Sequence, residues 1–341
     1  MIGLLLVAYQ SQARRPDSSV TKKQKMPEKN KGPVKKFCQK KHDSVMSRFD
    51  FNKLIKSLNK TSYGQHEKQD RKETFKDTLK KIKSQYCYEG RPINYVKIGY
   101  LGQPQKTLNT VFEVQEGDIL DIAQILSWKG KKPLVLSMAN AETPGGGVLK
   151  GAGAQEEQIV YRSNLYPALV FAKGGDTEFI DERGGVYIPN VLIFKNNEQK
   201  GYSVLPYPFS VDVVASAALN LGNTSKDLIK YHNDESVHLL RDNARLLQDK
   251  TYTWESDYEK SMKCRIRAQF RIAVCHKHDT LLLSDFGCGA FKNDPGDVAR
   301  FYKEILQEKE FCGRFKTIIF GIASGENCEV FKRVFSKLCN K

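Results

Sequence analysis

Two unbroken apolar runs, Leu134-Val135-Leu136 and Leu281-Leu282-Leu283, constrain this chain more than any other feature. A strand with one face in water alternates apolar with polar residues. A run that is apolar at every position needs cover on both faces. Each run leads into a glycine-rich loop and then into a helical pattern, and this order repeated along a chain specifies a largely parallel sheet between helices. Candidate strands are Tyr95–Ile98, Val111–Val114, Leu134–Met138, Val211–Val214, Leu281–Ser284 and Thr317–Ile322. Phe75, Leu79 and Ile82 recur at helical spacing, which predicts a helix over 70–86. Further helices are expected over 118–128, 156–170, 258–275, 295–309 and 326–338. The stretch 172–202, with Gly174-Gly175 and Gly184-Gly185, reads as irregular chain wrapping the surface or flanking a pocket.

Charge divides the chain. Residues 1–85 hold 22 Lys/Arg against 8 Asp/Glu, a balance of +14, and the remaining 256 hold 33 against 31, a balance of +2. The basic character therefore belongs to the N-terminal quarter. Residues 10–68 are rich in Lys, Ser, Gln, Asn and Pro, a composition that buries too little surface to offset ordering entropy. Residues 1–69 are accordingly expected to be a basic, disordered extension, and 70–341 one folded domain, with order beginning near Asp70. A short amphipathic turn over Phe49–Leu58 is the one exception contemplated. The clusters Lys22-Lys23-Gln24-Lys25 and Lys35-Lys36 through Lys40-Lys41 suit nuclear import or unspecific, salt-dependent contact with a polyanion; a merely solvated tail is the alternative.

Eight cysteines are scattered without a CxxC pair, the pattern of reduced thiols in a cytoplasmic or nuclear protein. The run Cys275-His276-Lys277-His278 has no second cluster to complete a zinc site, and reads as a helix end leading into the strand at Leu281. No stretch approaches the ~20 apolar residues of a membrane span. The apolar start Ile2–Tyr9, followed by Ser11-Gln12-Ala13, leaves a secretory signal as an alternative.

The densest chemistry lies between Asn140 and Glu157: Asn140, then Gly145-Gly146-Gly147, seven residues, and Gln155-Glu156-Glu157. A buried strand feeds this loop and a helix follows it, so it stands where open α/β sheets bind ligands. Successive glycines let the backbone approach a ligand and take positive φ, and their N–H groups can cradle phosphate oxygens. Glu156 and Glu157 would stand on the first helical turn. The helix N-terminus favours their ionised forms, whereas burial and neighbouring negative charge favour protonation, as a general acid requires. Acidic residues are also ordinary at helix starts, so this spacing alone leaves a purely structural role open. A second loop follows the second run: Ser284-Asp285-Phe286-Gly287-Cys288-Gly289-Ala290-Phe291, closing with Asp294 as N-cap and Pro295 at the first helical position. Gly287 and Gly289 can offer amides to phosphate, and Phe291 can cover a sugar or adenine face or simply fill the core.

The triple glycine, the seven-residue spacing and Gln155-Glu156-Glu157 resemble the signature loop of poly(ADP-ribose) glycohydrolases of the microbial type. The likeness extends from the helix near Arg71 through Tyr161–Pro167, Val186–Val191 and the Gly287–Pro295 loop to Ile322. It implies a macrodomain-like, three-layer α/β/α fold with a mixed central sheet, and hydrolysis of ribose–ribose bonds in poly(ADP-ribose) with release of ADP-ribose. It assigns Glu157 as the catalytic acid and base and Glu156 as its partner holding ribose. Asn140 would contact the terminal ribose, and Gly145, Gly146, Gly147 and Gln155 would build the signature loop. Gly287, Cys288, Gly289, Ala290 and Phe291 would lie against the diphosphate and distal ribose. No metal or other cofactor is implied. The partners implied are poly(ADP-ribose) or ADP-ribosylated proteins, with no membrane. Ser284-Asp285-Phe286 departs from the family pattern of small residues followed by tryptophan, and Asp285 adds a negative charge near the expected diphosphate. Competing readings are a macrodomain that binds ADP-ribose without cleaving it, and a hydrolase of single ADP-ribose groups. A nucleic-acid-binding protein rests on the tail alone.

Overall fold

The computed structural model describes residues 45–58, 66–174, 180–222 and 254–336. Seven strands form one mixed sheet: β1 (Ile93–Tyr95), β2 (Val111–Glu116), β3 (Leu134–Met138), β4 (Gly185–Lys195), β5 (Val204–Ser216), β6 (Thr280–Leu283) and β7 (Thr317–Ile322), in the order β1-β4-β5-β3-β6-β7-β2. The strands from β5 to β2 are mutually parallel, and β4 and β1 extend the sheet in antiparallel fashion. The apolar runs lie at its centre, as double-sided burial requires. Val135 and Leu282 enter the core on one face, and Leu134, Leu136, Leu281 and Leu283 the core on the other.

Among the described residues, α2 (His66–Ser84), α3 (Ile119–Trp128), α4 (Gln155–Arg162) and α5 (Leu165–Lys173) supply the first core through Phe75, Leu79, Leu120, Ile159 and Leu169. The helices α6 (Trp254–Cys275), α7 (Pro295–Gln307) and α8 (Gly325–Phe335) supply the second through Met262, Phe270, Phe301, Ile305 and Phe331. Each such side chain, fully buried, contributes about 1.5–3 kcal/mol. The result is the three-layer α/β/α arrangement with a mixed sheet. No described helix is long and apolar enough to cross a membrane.

Several expectations need correction. The stretch 172–202 is not irregular throughout, because it contains β4, an eleven-residue interior strand. The ladder seats Pro189-Asn190 at a bulge: the register shifts between Ile188 and Val191, Asn190 takes φ 55°, and its N–H donates to Asp212 Oδ1 at 2.7 Å. The same partnership lengthens β5 from the expected 211–214 to Val204–Ser216. The helix expected over 156–170 is two helices. At Ser163 the chain turns extended and bridges to Ile193, and the Asn164 N–H donates to the Leu192 carbonyl. The first strand lies at Ile93–Tyr95 rather than Tyr95–Ile98, with Ile98 N–H taken instead by the Arg183 carbonyl.

Order also begins earlier than Asp70. A 3-10 turn at Val45–Arg48 and a helix, α1 (Phe51–Leu58), precede α2, itself starting at His66; Val45, Phe51 and Leu58 are buried, and Phe49 sets its ring edge-on to Tyr166. Average composition hides these few anchors. The rest of the basic extension, with its lysine clusters and apolar start, lies outside the described residues.

Candidate active site

The carboxyl ends of the central strands carry the two glycine loops. Beyond Val135 the ladder between β3 and β6 stops, and the Gln155 side chain occupies the gap. Its Oε1 accepts from Met138 N at 2.8 Å and its Nε2 donates to Leu136 O at 2.6 Å. Both ends of the amide are thus engaged by strand backbone, which locks the start of α4 against the end of β3. No side chain caps α4 at Ala154, and Ala154 and Gln155 line the cleft there.

The two glutamates then do different things. Glu156 is 3 % exposed and both its oxygens accept backbone amides, Oε2 from Asn140 and Oε1 from Gly145, each at 2.9 Å. It staples the glycine loop to the helix. Burial pushes its carboxyl well above the ordinary range; the two amides oppose that shift and the Glu157 charge adds to it. Glu157 is 5 % exposed; its Oε1 accepts from Gly147 N at 2.6 Å, while its Oε2 is buried without a hydrogen-bond partner among the described residues. Gly146 explains the glycine requirement. It has φ 56°, and a Cβ there would stand 2.5 Å from Glu157 Oε1 and 3.0 Å from Glu156 Oε2. The backbone therefore passes directly against both carboxyl groups. Asn140 uses Oδ1 to turn the loop, accepting from Glu142 and Thr143 N–H at 2.9 Å each, and its side-chain NH2 has no hydrogen-bond partner among the described residues.

The second loop faces the first across a cleft of about 650 Å³ lined by residues 146–147, 153–157 and 287–292, with Asn140. Buried Asn293 shapes it, donating to Leu219 O at 2.8 Å and Gly287 O at 3.0 Å and accepting from Tyr258 at 3.0 Å. Asp294 caps α7 by accepting from Asp297 N, with Pro295 behind it, as the sequence indicates. The amides of Gly289, Ala290 and Phe291 donate to no carbonyl among the described residues, so they are available to an anion. Phe291 is half-buried on the cleft wall, whereas Phe286 is wholly buried.

Asp285 does not aim an unpaired charge at the cleft. Its Oδ1 accepts from Ser284 at 2.9 Å and its Oδ2 from Asn327 Nδ2 at 2.7 Å. Asn327 belongs to a third contributor that sequence reading overlooked: Ala323 and Ser324, between β7 and α8, and Asn327, in the first turn of α8, line the same cleft. The available signal was Ser324-Gly325 one residue, Ala323, past the apolar strand Thr317–Ile322, an N-cap at the same end of the sheet. Ala218, just past β5, was also missed, and a Cβ on Gly287 would meet its Cβ at 2.5 Å.

The Cys275–His278 run is occupied otherwise. The His276 ring stacks on Tyr187 with centroids 3.4 Å apart, and His278 Nε2 lies 3.2 Å from Asp212. Among the described residues no group of three or more His, Cys, Asp or Glu is placed to hold a metal ion.

A three-layer α/β/α domain whose glycine loops and helix N-termini converge on one cleft is macrodomain-like. Residues 52–196, which include β3, the first loop, both glutamates and β4, match the family model described as microbial-type PARG, catalytic domain. Among solved structures, the chain is similar to a point mutant of poly(ADP-ribose) glycohydrolase from Thermomonospora curvata, at 26% identity and TM-score 0.52, over 66% of this chain and 79% of that one. It is likewise similar to poly(ADP-ribose) glycohydrolase from Deinococcus radiodurans in complex with ADP-ribose, at 25% identity and TM-score 0.54, over 68% and 86%. No curated protein sequence matches the chain. The second loop lies beyond the segment that the family model covers.

Proposed function

We propose that this chain hydrolyses the ribose–ribose O-glycosidic bonds of poly(ADP-ribose), releasing ADP-ribose, with Glu157 as general acid and base. The observation that carries this reading is Glu157 Oε2, buried in the cleft wall without a partner while Oε1 is pinned by the Gly147 amide. One oxygen fixes the carboxyl's orientation and the other is left for a ligand, which is the geometry a proton-transfer group needs.

Protonated Oε2 gives its proton to the 2′-oxygen of the leaving ribose as the bond from that oxygen to the anomeric carbon breaks. The diphosphate, seated on the amides of Gly289, Ala290 and Phe291, eases the positive charge that develops on the sugar. The resulting carboxylate takes a proton from water as its oxygen bonds to the anomeric carbon, and the acid is restored. One carboxyl group thus serves twice, unlike the paired-carboxylate geometry common among glycosidases. Glu156 acts by holding the loop. The free NH2 of Asn140 reaches the terminal ribose, and Phe291 covers the distal ribose or adenine. Gln155 contributes by fixing the start of α4.

The test is release of ADP-ribose from purified poly(ADP-ribose) by wild type and by Glu157→Gln. Wild type should release it, and the variant should lose turnover by at least about 100-fold while still binding ADP-ribose. Retained turnover in the variant removes Glu157 from the role. Binding without release by wild type would favour a reader of ADP-ribose.

The N-terminal lysine clusters are assigned unspecific polyanion contact in a cytoplasmic or nuclear protein. Deleting residues 1–44, which spares buried Val45 and Phe51, should leave turnover of short polymers unchanged.

A further inference from the structure

The opposite ends of the same strands carry a second feature. A polar cavity of about 460 Å³ opens where the chain enters β6 and β7, and Lys106, Lys277, His278, Asp279 and Arg314 line it. Its charge is unbalanced. Asp279 is the sole carboxylate in the lining; it already holds Lys316 at 2.6 Å and feels the charge of Lys131. Asp212, behind His278, is likewise engaged, by His278, Tyr187 and the Asn190 amide. The Arg314 guanidinium is held by two neutral acceptors, the backbone carbonyls of Glu310 and Gly102, and meets no carboxylate among the described residues. Lys106 and Lys277 are exposed and have no ion pair there either.

The cavity is also fixed in shape. The loop bearing Lys106 is tied at one end by Leu101 N–H to Glu310 Oε1 at 3.0 Å and at the other by Leu108 N–H to Gly313 O at 2.7 Å. Lys277 sits at φ 60° just past the end of α6, a position where glycine is the usual residue. A lysine kept there at the cost of backbone strain is an outlier that calls for a reason.

We propose that this cavity and the basic groups around it form a second binding site, for phosphates of the polymer chain remote from the bond being cleaved. The basic groups continue past the cavity through exposed Lys131, Lys132 and Lys129 to Trp128, which is 67% exposed. A solvated indole among lysines suits a single-stranded chain that alternates phosphates with stackable bases. Poly(ADP-ribose) presents two phosphates and one adenine per unit. This inference rests on the proposed polymer substrate. It gives the protein a hold on long chains that the cleft alone, shaped for one unit, does not provide.

The experiment measures binding of end-labelled long poly(ADP-ribose) to the full chain, with the cleft saturated by ADP-ribose. Wild type is compared with the triple variant Lys106→Glu, Lys131→Glu, Lys277→Asn, in which asparagine suits the left-handed backbone. The variant should bind at least about tenfold more weakly at low salt, and its slope of log affinity against log salt should fall by about 2, since three contacts at ~0.7 each are lost. Its melting temperature and its kcat on short oligomers should match wild type, with KM raised for long polymer alone. Unchanged affinity and slope would overturn the proposal. Full displacement of the polymer by millimolar inorganic pyrophosphate would overturn it too, reducing the cavity to a single-anion site. If wild type binds long polymer through these lysines yet releases no ADP-ribose, the enzymatic reading fails and the binding surface stands.

Discussion

Replacing Gly146 with alanine tests the site most sharply, because the structure predicts two separable costs. The first is backbone strain. Gly146 has φ 56°, and a left-handed conformation costs an ordinary residue about 1–2 kcal/mol. The second is displacement. The new methyl would stand 2.5 Å from Glu157 Oε1, closer than real contacts allow, so the carboxyl must swing away and give up its bond to the Gly147 amide. A hydrogen bond of this kind contributes about 0.5–1.5 kcal/mol.

Gly201→Ala provides the control. Gly201 has φ 61°, a Cβ there would meet nothing within 4 Å, and the position lies in a turn outside the lining of the cleft. Both variants should lose the strain term, which lowers Tm by roughly 2–8 °C in a domain of this size. Gly146→Ala should lose several degrees more. The decisive assay is kcat for ADP-ribose release. Misplacing a reacting group by about 1 Å costs on the order of 100-fold, so Gly146→Ala should fall by at least that much and Gly201→Ala should keep wild-type turnover. If Gly146→Ala melts like Gly201→Ala and turns over like wild type, Glu157 is not held as described and the catalytic role proposed for it falls.

The second loop should collapse when its organiser is removed. Asn293→Ala strips donors from two buried carbonyls and removes the Asn293 acceptor from the Tyr258 hydroxyl, a loss of about 2–4 kcal/mol, and calorimetric titration should show weakened ADP-ribose binding even below the melting temperature. Asp212 sets an acid limit on stability. Burial raises its pKa, but His278, the Asn190 amide and Tyr187 outweigh that and hold it at about 2. A depressed folded-state pKa contributes stability that is fully present above the unfolded value near 4 and is lost as pH falls through 2. Asp212→Asn should therefore cost roughly 2 kcal/mol at pH 7, and its denaturation midpoint should converge on that of wild type near pH 2. Equal differences at both pH values would refute the assignment.

How much was legible in advance differs by element. The central strands were plain because Leu134-Val135-Leu136 and Leu281-Leu282-Leu283 have no polar position to give to water, whatever their neighbours. Their boundaries came out within one residue at Leu134–Met138 and Thr280–Leu283. Asp294-Pro295 was equally local, because a cap forms from its own backbone. By contrast, β4 was hidden behind Gly184-Gly185, which reads as loop, and only the partner strand reveals the bulge that seats Pro189-Asn190. The break at Ser163 was hidden for a similar reason: the amide and side chain of Asn164 find better partners on β4 and on the chain at residues 86–87 than in a continuing helix.

The candidate site divides in the same way. The amino-acid sequence by itself determined which residues meet at the first loop, because the triple glycine and the two glutamates are tied by short spacing to one strand end and one helix start. It also determined that two such loops share one sheet edge. Only the tertiary structure decided that the glutamates are not equivalent, with Glu156 spent on two amides and Glu157 left with a free oxygen. It alone brought Asn327 to Asp285, and it alone gathered Lys106, Lys277 and Arg314 around one cavity. The reason is physical. Local pattern fixes what each segment forms, but a polar group's role depends on which partners reach it across the fold, and those partners come from residues far apart in the chain.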